Sequence, residues 1–237
     1  MAAAETNAFA EANRRCESGD FAGAAAVYEN ILATEGPRAS VYYNLGNAYS
    51  QAKNHGPAIL AYERARLLTP RDPDLLANLA LARKAAAAFE ETGRDARLDA
   101  ALNFLSRNEW SWLVAGAVLY LGMLAAVAGA VGFRNRGVGK AALVSAGAAA
   151  LIILAGSSVL WARGDEANRG VVLKERAALH LSPFEKAEKG GTPGPGRIVR
   201  IHERNGGFLY VSVPGTNLRG WLADNEVAAI TTSAPGR

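Results

Sequence analysis

The side chains that most often carry out catalysis are few in this chain. Its 237 residues include three histidines and one cysteine. The histidines, His55, His180 and His202, lie in separate predicted turns or strands and do not have metal-ligand spacing. The single thiol, Cys16, excludes an intramolecular disulfide and a zinc site with several thiolates. The sequence therefore predicts no metal and no cofactor, and it favours a protein that is not an enzyme.

Two other patterns resemble reactive sites but have simpler interpretations. Cys16 with a histidine would make a thiol peptidase, yet no segment of the chain is left to form its catalytic domain. Because this cysteine falls in a predicted helix among Ala and Arg residues, we expect it to pack as a small apolar side chain. Residues 132–140 contain a Gly-Lys pair like that of a phosphate loop, without the preceding strand and the following Ser or Thr that such a loop needs.

Amide side chains, in contrast, recur at a fixed spacing. The interval from Asn13 to Asn47 is the same as the interval from Asn44 to Asn78. An amide offers both a donor and an acceptor, which suits it to hold a peptide backbone. We therefore predict a peptide-binding groove, without the cationic pair that clamps a C-terminal carboxylate; its candidate residues are Phe9, Asn13, Tyr43, Asn44, Asn47 and Asn78. The same amides would also suit packing and local hydrogen bonding, and the sequence leaves both interpretations open.

This interval, about 34 residues, is typical of tandem helical repeats. The second unit has the pattern Tyr42-x-x-Leu45-Gly46-x-x-Tyr49, and its later signature positions are Ala58, Tyr62, Ala65 and Pro70. This unit resembles the tetratricopeptide repeat (TPR) family, and the resemblance implies an α-helical solenoid that holds peptides on the inner face of its first helices. We place the TPR region at residues 1–106, with repeats at about 5–38 and 39–72, a partial repeat at 73–92 and a capping helix at 95–106.

Two long apolar segments follow the repeats. Residues 110–133 and 141–162 contain no charged side chain. The shorter segment has 22 residues, which make a helix about 33 Å long, and this is enough to cross a hydrocarbon core about 30 Å thick. A buried hairpin in a soluble core is the alternative, but so small a protein has too little other apolar material to cover it. We therefore predict a transmembrane α-hairpin over residues 107–163 in a lipid bilayer.

The charges around this hairpin predict its orientation. Its connecting loop carries three cations and no anion, namely Arg134, Arg136 and Lys140. Because cytoplasmic loops are enriched in Lys and Arg, we expect the loop to be cytoplasmic and both termini to be extracytoplasmic. Residues 1–15 lack the features of a signal peptide, so we expect that the export signal lies upstream of the written start.

The distribution of charge over the chain argues against nucleic acid as a partner. Residues 1–109 carry 12 basic and 14 acidic side chains, residues 110–162 carry 3 and 0, and residues 163–237 carry 11 and 8. The net charge of +4 is therefore not concentrated in one segment, and no segment is strongly basic.

The last part of the chain is predicted to be all-β. Short runs rich in β-branched and aromatic residues, at 170–174, 197–202, 208–213 and 219–222, are separated by Gly, Pro and Asn clusters. The order of Gly207-Phe208-x-x-Val211 and Gly220-Trp221 resembles bacterial SH3-like (SH3b) domains, with Phe208 in place of the usual Trp. The resemblance implies a small barrel over residues 168–231. Its ligand candidates are Phe208, Tyr210 and Trp221, although the same rings could instead fill the core.

The predicted fold class is therefore multidomain, with an α-helical TPR region, a transmembrane α-hairpin and a small all-β SH3-like barrel. This order resembles the BatE-type components of bacterial aerotolerance operons. The resemblance implies an inner-membrane protein without enzymatic role that works beside von Willebrand A-domain proteins and a MoxR-type ATPase. We expect a membrane-anchored interaction scaffold, and the alternative is a membrane protein that senses or binds peptidoglycan through its SH3b domain.

Overall fold

The computed structural model describes residues 2–88, 104–131 and 136–231, which fall into two compact units. The first unit contains a helical region, residues 2–88, and a sheet region, residues 166–231. The second contains a helical hairpin, within residues 104–165. The mixture of helices and sheet agrees with a multidomain fold class at this coarse level. Most of the predicted capping helix at 95–106 lies outside the described residues.

The helical region consists of five helices, each packed against the next. Their bounds are α1 Ala2–Glu17, α2 Phe21–Glu35, α3 Ala39–Gln51, α4 His55–Leu68 and α5 Pro73–Ala85. Asp20 begins α2, where its carboxylate accepts a hydrogen bond from the Gly23 amide, and Asp72 does the same for the Leu75 amide of α5. Where α3 and α4 cross, a Cβ on Gly46 would lie 2.5 Å from Cε1 of Tyr62. This close approach explains the glycine in the repeat pattern.

The hairpin consists of α6, Arg107–Val131, and α7, Arg136–Ala162. Both helices are long and apolar enough to cross a membrane, and only 6% and 11% of their most apolar windows are buried. The two helices pack closely, since a Cβ on Gly156 would lie 2.5 Å from Cγ2 of Val114. The Tyr120 hydroxyl donates a hydrogen bond to Oγ of Ser145 at 2.7 Å. A soluble core hairpin would bury these helices, so their exposure favours the membrane interpretation.

The three cations of the predicted cytoplasmic loop are only partly described. Arg134 lies outside the described residues, and only the backbone of Arg136, the first residue of α7, is described. Lys140 lies in the first turns of α7 and is exposed. The orientation of the hairpin stays a prediction.

The sheet region forms one antiparallel sheet of seven strands. The strands are β1 Arg169–Val172, β2 Leu179–His180, β3 Lys189–Gly191, β4 Ile198–Asn205, β5 Phe208–Ser212, β6 Arg219–Ala223 and β7 Val227–Ala229. Their order is β3-β2-β6-β5-β4-β1-β7. The sheet is open where the sequence predicted a barrel. Both edge strands, β3 and β7, have only three residues and thus few backbone groups for a further pair.

The helical and sheet regions share one hydrophobic core. Ile59 and Leu75 of the helices cluster with Val171, Ile198 and Ile230 of the sheet region, and all five are buried. Among the described residues, the sheet region thus covers apolar side chains of α4 and α5. The capping helix that the sequence predicts at 95–106 lies mostly outside the described residues and stays a prediction. The two regions are therefore one folded body rather than two modules joined only through the hairpin.

Polar contacts also join the two regions. The guanidinium group of Arg64, on α4, donates hydrogen bonds to the backbone carbonyls of Ala229 at 2.9 Å and Ile230 at 3.3 Å. Glu63, the preceding residue, is fully buried and forms ion pairs with Arg66 and Arg83. Burial alone would raise the pKa of Glu63, but these two guanidinium groups, with that of Arg169 on β1, hold the pKa at about 2. An ionised carboxylate thus lies at the junction of α4, α5 and β1.

Candidate functional site

The six predicted groove residues all lie on alternate helices of the helical region. Phe9 and Asn13 are on α1, the three central residues are on α3, and Asn78 is on α5. The amide nitrogen of Asn78 donates hydrogen bonds to the Tyr43 hydroxyl at 2.9 Å and to Oδ1 of Asn47 at 3.1 Å. These bonds connect α5 to α3 across the predicted groove.

Residues that are one repeat period apart in the sequence make equivalent contacts in the structure. The Tyr28 hydroxyl donates a hydrogen bond to Oδ1 of Asn13 at 2.6 Å, and the Tyr62 hydroxyl donates one to Oδ1 of Asn47 at 2.7 Å. Both residues of the second pair lie one repeat period after those of the first. The ring pairs follow the same rule, since Phe9 lies 5.8 Å from Tyr28 and Tyr43 lies 6.2 Å from Tyr62, between ring centroids. The two helical pairs are thus built alike.

These hydrogen bonds decide part of the question that the sequence left open. The carbonyl oxygens of Asn13 and Asn47 are used inside the fold, so both residues have a structural role. Asn44 makes no side-chain hydrogen bond with another residue of the part of the chain that the structure describes. The Asn44 amide therefore keeps both its donor and its acceptor for a ligand.

A cleft of about 270 Å³ opens between α1 and α3. Its lining residues are Asn13, Cys16, Glu17, Tyr28, Asn44 and Asn47. Three of them, Cys16, Glu17 and Tyr28, were not predicted from the sequence as groove residues. The spacing could have indicated two of these, since Glu17 follows Asn13 by one helical turn and Tyr28 recurs as Tyr62.

The thiol in this cleft is not activated. Burial raises the pKa of Cys16, and so do the nearby carboxylates of Asp20 and Glu17. A thiol with a raised pKa is protonated at neutral pH and is a poor nucleophile. The polar groups that line the cleft are amides, a phenol and one carboxylate.

The aromatic residues of the sheet region lie on the face opposite its core. Along β5, Leu209 and Val211 belong to the aliphatic core, so Phe208 and Tyr210 alternate with them and point to the other face. Trp221 is paired directly with Tyr210 across β5 and β6, and their ring centroids are 5.3 Å apart. Tyr210 and Trp221 therefore lie outside the aliphatic core and are partly exposed, whereas Phe208 is buried, so the core interpretation that the sequence left open still applies to Phe208.

Two histidines extend this aromatic face. His180 is paired with Trp221 and lies 6.0 Å from Phe208, and His202 lies 6.0 Å from Tyr210, between ring centroids. Phe208 and His180 are nearly buried, whereas the Tyr210 and Trp221 side chains are partly exposed. The accessible part of the face is thus formed by the Tyr210 and Trp221 rings at its centre together with His202, which is exposed. Within residues 2–88, 104–131 and 136–231, no three His, Cys, Asp or Glu residues are grouped as metal ligands.

Comparison with known proteins does not identify the chain. No protein-family model matches it, and no curated protein matches its sequence significantly. The resemblances to tetratricopeptide repeats, to SH3b domains and to BatE-type proteins therefore stay predictions, and the cleft and the aromatic face are the features that bear on function.

Proposed function

We propose that this protein is a membrane-anchored scaffold for protein–protein interactions, with its binding groove on α1, α3 and α5. The observation that carries the proposal is the cleft between α1 and α3, lined by Asn44 and by the amides of Asn13 and Asn47. Hydrogen bonds that recur at the repeat period support the interpretation of the helices as tetratricopeptide repeats, which hold peptides on this face. By resemblance to the BatE-type group, the partners are von Willebrand A-domain proteins that work with a MoxR-type ATPase.

The proposed location is the bacterial cytoplasmic membrane, with the helical and sheet regions on its outer side. Two exposed apolar helices support the anchor, and the cationic loop between them supports the orientation. Anchoring raises the effective concentration of the groove for a partner that is held in the same membrane.

The orientation predicts a clear reporter result. Alkaline phosphatase, which is active only after export, is fused behind Arg237 of the full-length gene and compared with a fluorescent protein that folds in the cytosol. We expect phosphatase activity without fluorescence. Fusions placed after Arg134, in the predicted loop, serve as the matched control and should give the opposite pattern. Fluorescence behind Arg237 would invert the topology and turn the groove into a cytosolic site.

Site-specific photo-crosslinking in intact membranes tests the groove itself. A photoreactive amino acid replaces Asn44, which lines the cleft, or Glu185, which is exposed on the sheet region. We expect a single partner to crosslink at position 44 and none of it at position 185, and mass spectrometry then maps the segment that occupies the cleft. Equal crosslinking at both positions, or none at position 44, would contradict the proposal.

A second candidate function is peptidoglycan binding by the sheet region. The observation in its favour is the Tyr210–Trp221 ring pair, which lies on the face away from the core. Large aromatic rings of this kind give extensive contact with sugars or peptides at a low cost in side-chain entropy. In this proposal the protein senses the state of the wall and passes it to the partner in the groove.

Sedimentation with purified sacculi tests this candidate. If it holds, the wild-type chain in detergent micelles pellets with sacculi, and Trp221→Ala reduces the bound fraction about tenfold or more, as loss of a central aromatic anchor does. Phe184→Ala is the matched control, because Phe184 is an exposed aromatic residue of the same region. Wild-type protein that stays in the supernatant would exclude wall binding and leave the scaffold proposal intact.

A further inference from the structure

The groove-forming side of α1 presents a carboxylate without a cation beside it. Phe9, Asn13 and Glu17 follow one another at one-turn spacing and share one face of α1, and Glu17 lines the cleft. In the part of the chain that the structure describes, Glu17 makes no ion pair. Its carboxylate is therefore available to a ligand.

The arginines of α1 are held elsewhere. Arg14 pairs with Glu11 at 2.7 Å, and Arg15 pairs with Glu11 at 2.9 Å and with Asp20 at 3.0 Å. At about 100° of rotation per residue, Glu11 and Glu17 point in directions about 120° apart around α1. The ion pairs with Glu11 therefore draw both guanidinium groups away from the cleft that Glu17 lines. The nearest cations thus do not neutralise Glu17.

The other groove helices add a carboxylate near Asn78, and the two cations of α5, Arg83 and Lys84, lie in its last turn, where Arg83 pairs with the buried Glu63. Helix α3, Ala39–Gln51, contains no charged residue at all. On α5, the exposed Asp74 lies one turn before Asn78, on the same face. Its carboxylate is not needed to begin the helix, because Asp72 provides the cap. The groove face of the three helices therefore combines amides with two carboxylates.

We propose that the groove selects an extended polypeptide segment that carries Lys or Arg side chains. Asn44 and the amide nitrogens of Asn13 and Asn47 hold its backbone, and a basic side chain enters the cleft to pair with Glu17. The same charges disfavour a free C-terminal carboxylate. This inference rests on the proposed peptide-binding function and adds the charge of the partner.

Selection from a random dodecapeptide phage library on the full chain in detergent micelles tests the inference. Peptides that bind Asn44→Leu equally well are discarded, since leucine removes the amide donor and acceptor from the cleft without adding a charge. We expect the remaining sequences to be enriched in Lys and Arg. The best peptide, labelled and with blocked termini, is then titrated against Glu17→Gln, against Glu17→Gln with Asp74→Asn, and against the remote control Glu185→Gln.

For exposed ion pairs of this kind we expect about fivefold weaker binding to Glu17→Gln, about tenfold weaker binding to the double variant and no change for Glu185→Gln. The wild-type affinity should also fall as salt rises from about 50 to 300 mM, because screening weakens exposed pairs. Selected peptides without basic enrichment, or unchanged affinity in both variants, would overturn the charge preference and leave peptide binding intact. If no peptide depends on Asn44, both proposals are wrong.

Discussion

Replacing Glu63 with glutamine is expected to lower the free energy of opening of α4 and α5 by about 3 kcal/mol. The Glu63 side chain is 1% exposed and accepts hydrogen bonds from Arg66 and Arg83, whose side chains are about 20% exposed. Removal of the carboxylate takes a buried ion-pair partner from two partly buried guanidinium groups, which costs more than the loss of an ordinary hydrogen bond. Hydrogen exchange of the full chain in detergent micelles, read by mass spectrometry, measures this free energy directly.

The same substitution should remove a pH dependence. The folded-state pKa of Glu63 is about 2, below its ordinary value of 4.5. A carboxylate with a lowered pKa stabilises the fold fully above its unfolded-state value, and this stabilisation is lost as the pH falls through the folded-state value. Wild-type stability should therefore decline from about pH 4.5 towards pH 2, and Glu63→Gln should lack that component of the decline.

Glu11→Gln is the matched control for this experiment. Glu11 also pairs with two arginines, Arg14 and Arg15, but its side chain is 39% exposed. Those arginines lower its pKa as well, through their hydrogen bonds. Because solvent screens an exposed pair, the control should show a much smaller effect than the buried site. Equal effects of the two substitutions would mean that burial at the junction of α4, α5 and β1 does not govern the stability of the pair.

The sequence was most informative where a pattern repeats. The repeat period predicted that Asn13 and Asn47 would occupy equivalent places, and the structure joins Asn13 to Tyr28 and Asn47 to Tyr62 by equivalent hydrogen bonds. The composition of residues 208–213 predicted a strand, whose successive side chains face opposite sides of the sheet. It could not predict that the aliphatic residues form the core while Tyr210 and Trp221 stay outside, since both sets are apolar enough to be buried.

The packing of the sheet region on α4 could not be predicted in this way. Its closest approach to the start of α4 is between the backbone carbonyls of residues 172 and 173 and Gly56, which has no side chain to give a pattern. Glu63 and Arg64 have the composition of an exposed helix face, yet Glu63 is fully buried and Arg64 binds two carbonyls of the sheet region. Long-range contacts between a helix and backbone atoms leave no periodic signal along the chain.

The substitution Gly56→Ala tests this packing, because the packing determines whether the substitution raises or lowers the stability of the protein. In an unobstructed helix the substitution stabilises the protein by about 0.5–1 kcal/mol, because alanine has the higher helix propensity. Here the added Cβ would lie 2.4 Å from the carbonyl oxygen of Leu173 and 2.7 Å from that of Val172. Backbone atoms cannot rotate away as a side chain can, so either the end of β1 or the start of α4 must move.

We therefore expect Gly56→Ala to destabilise the first unit by about 2 kcal/mol, the usual cost of overpacking after the gain in propensity is subtracted. The effect should be seen in both regions, as faster hydrogen exchange in α4 and in the amides of Val172 and Leu173, which bond to Arg197 and Glu226. Gly194→Ala is the control, because nothing lies within 4 Å of its added Cβ. A stabilised Gly56→Ala variant would show that the sheet region does not pack on α4 in solution. The groove and the aromatic face would then act as independent modules, and binding at one could not be transmitted to the other through the shared core.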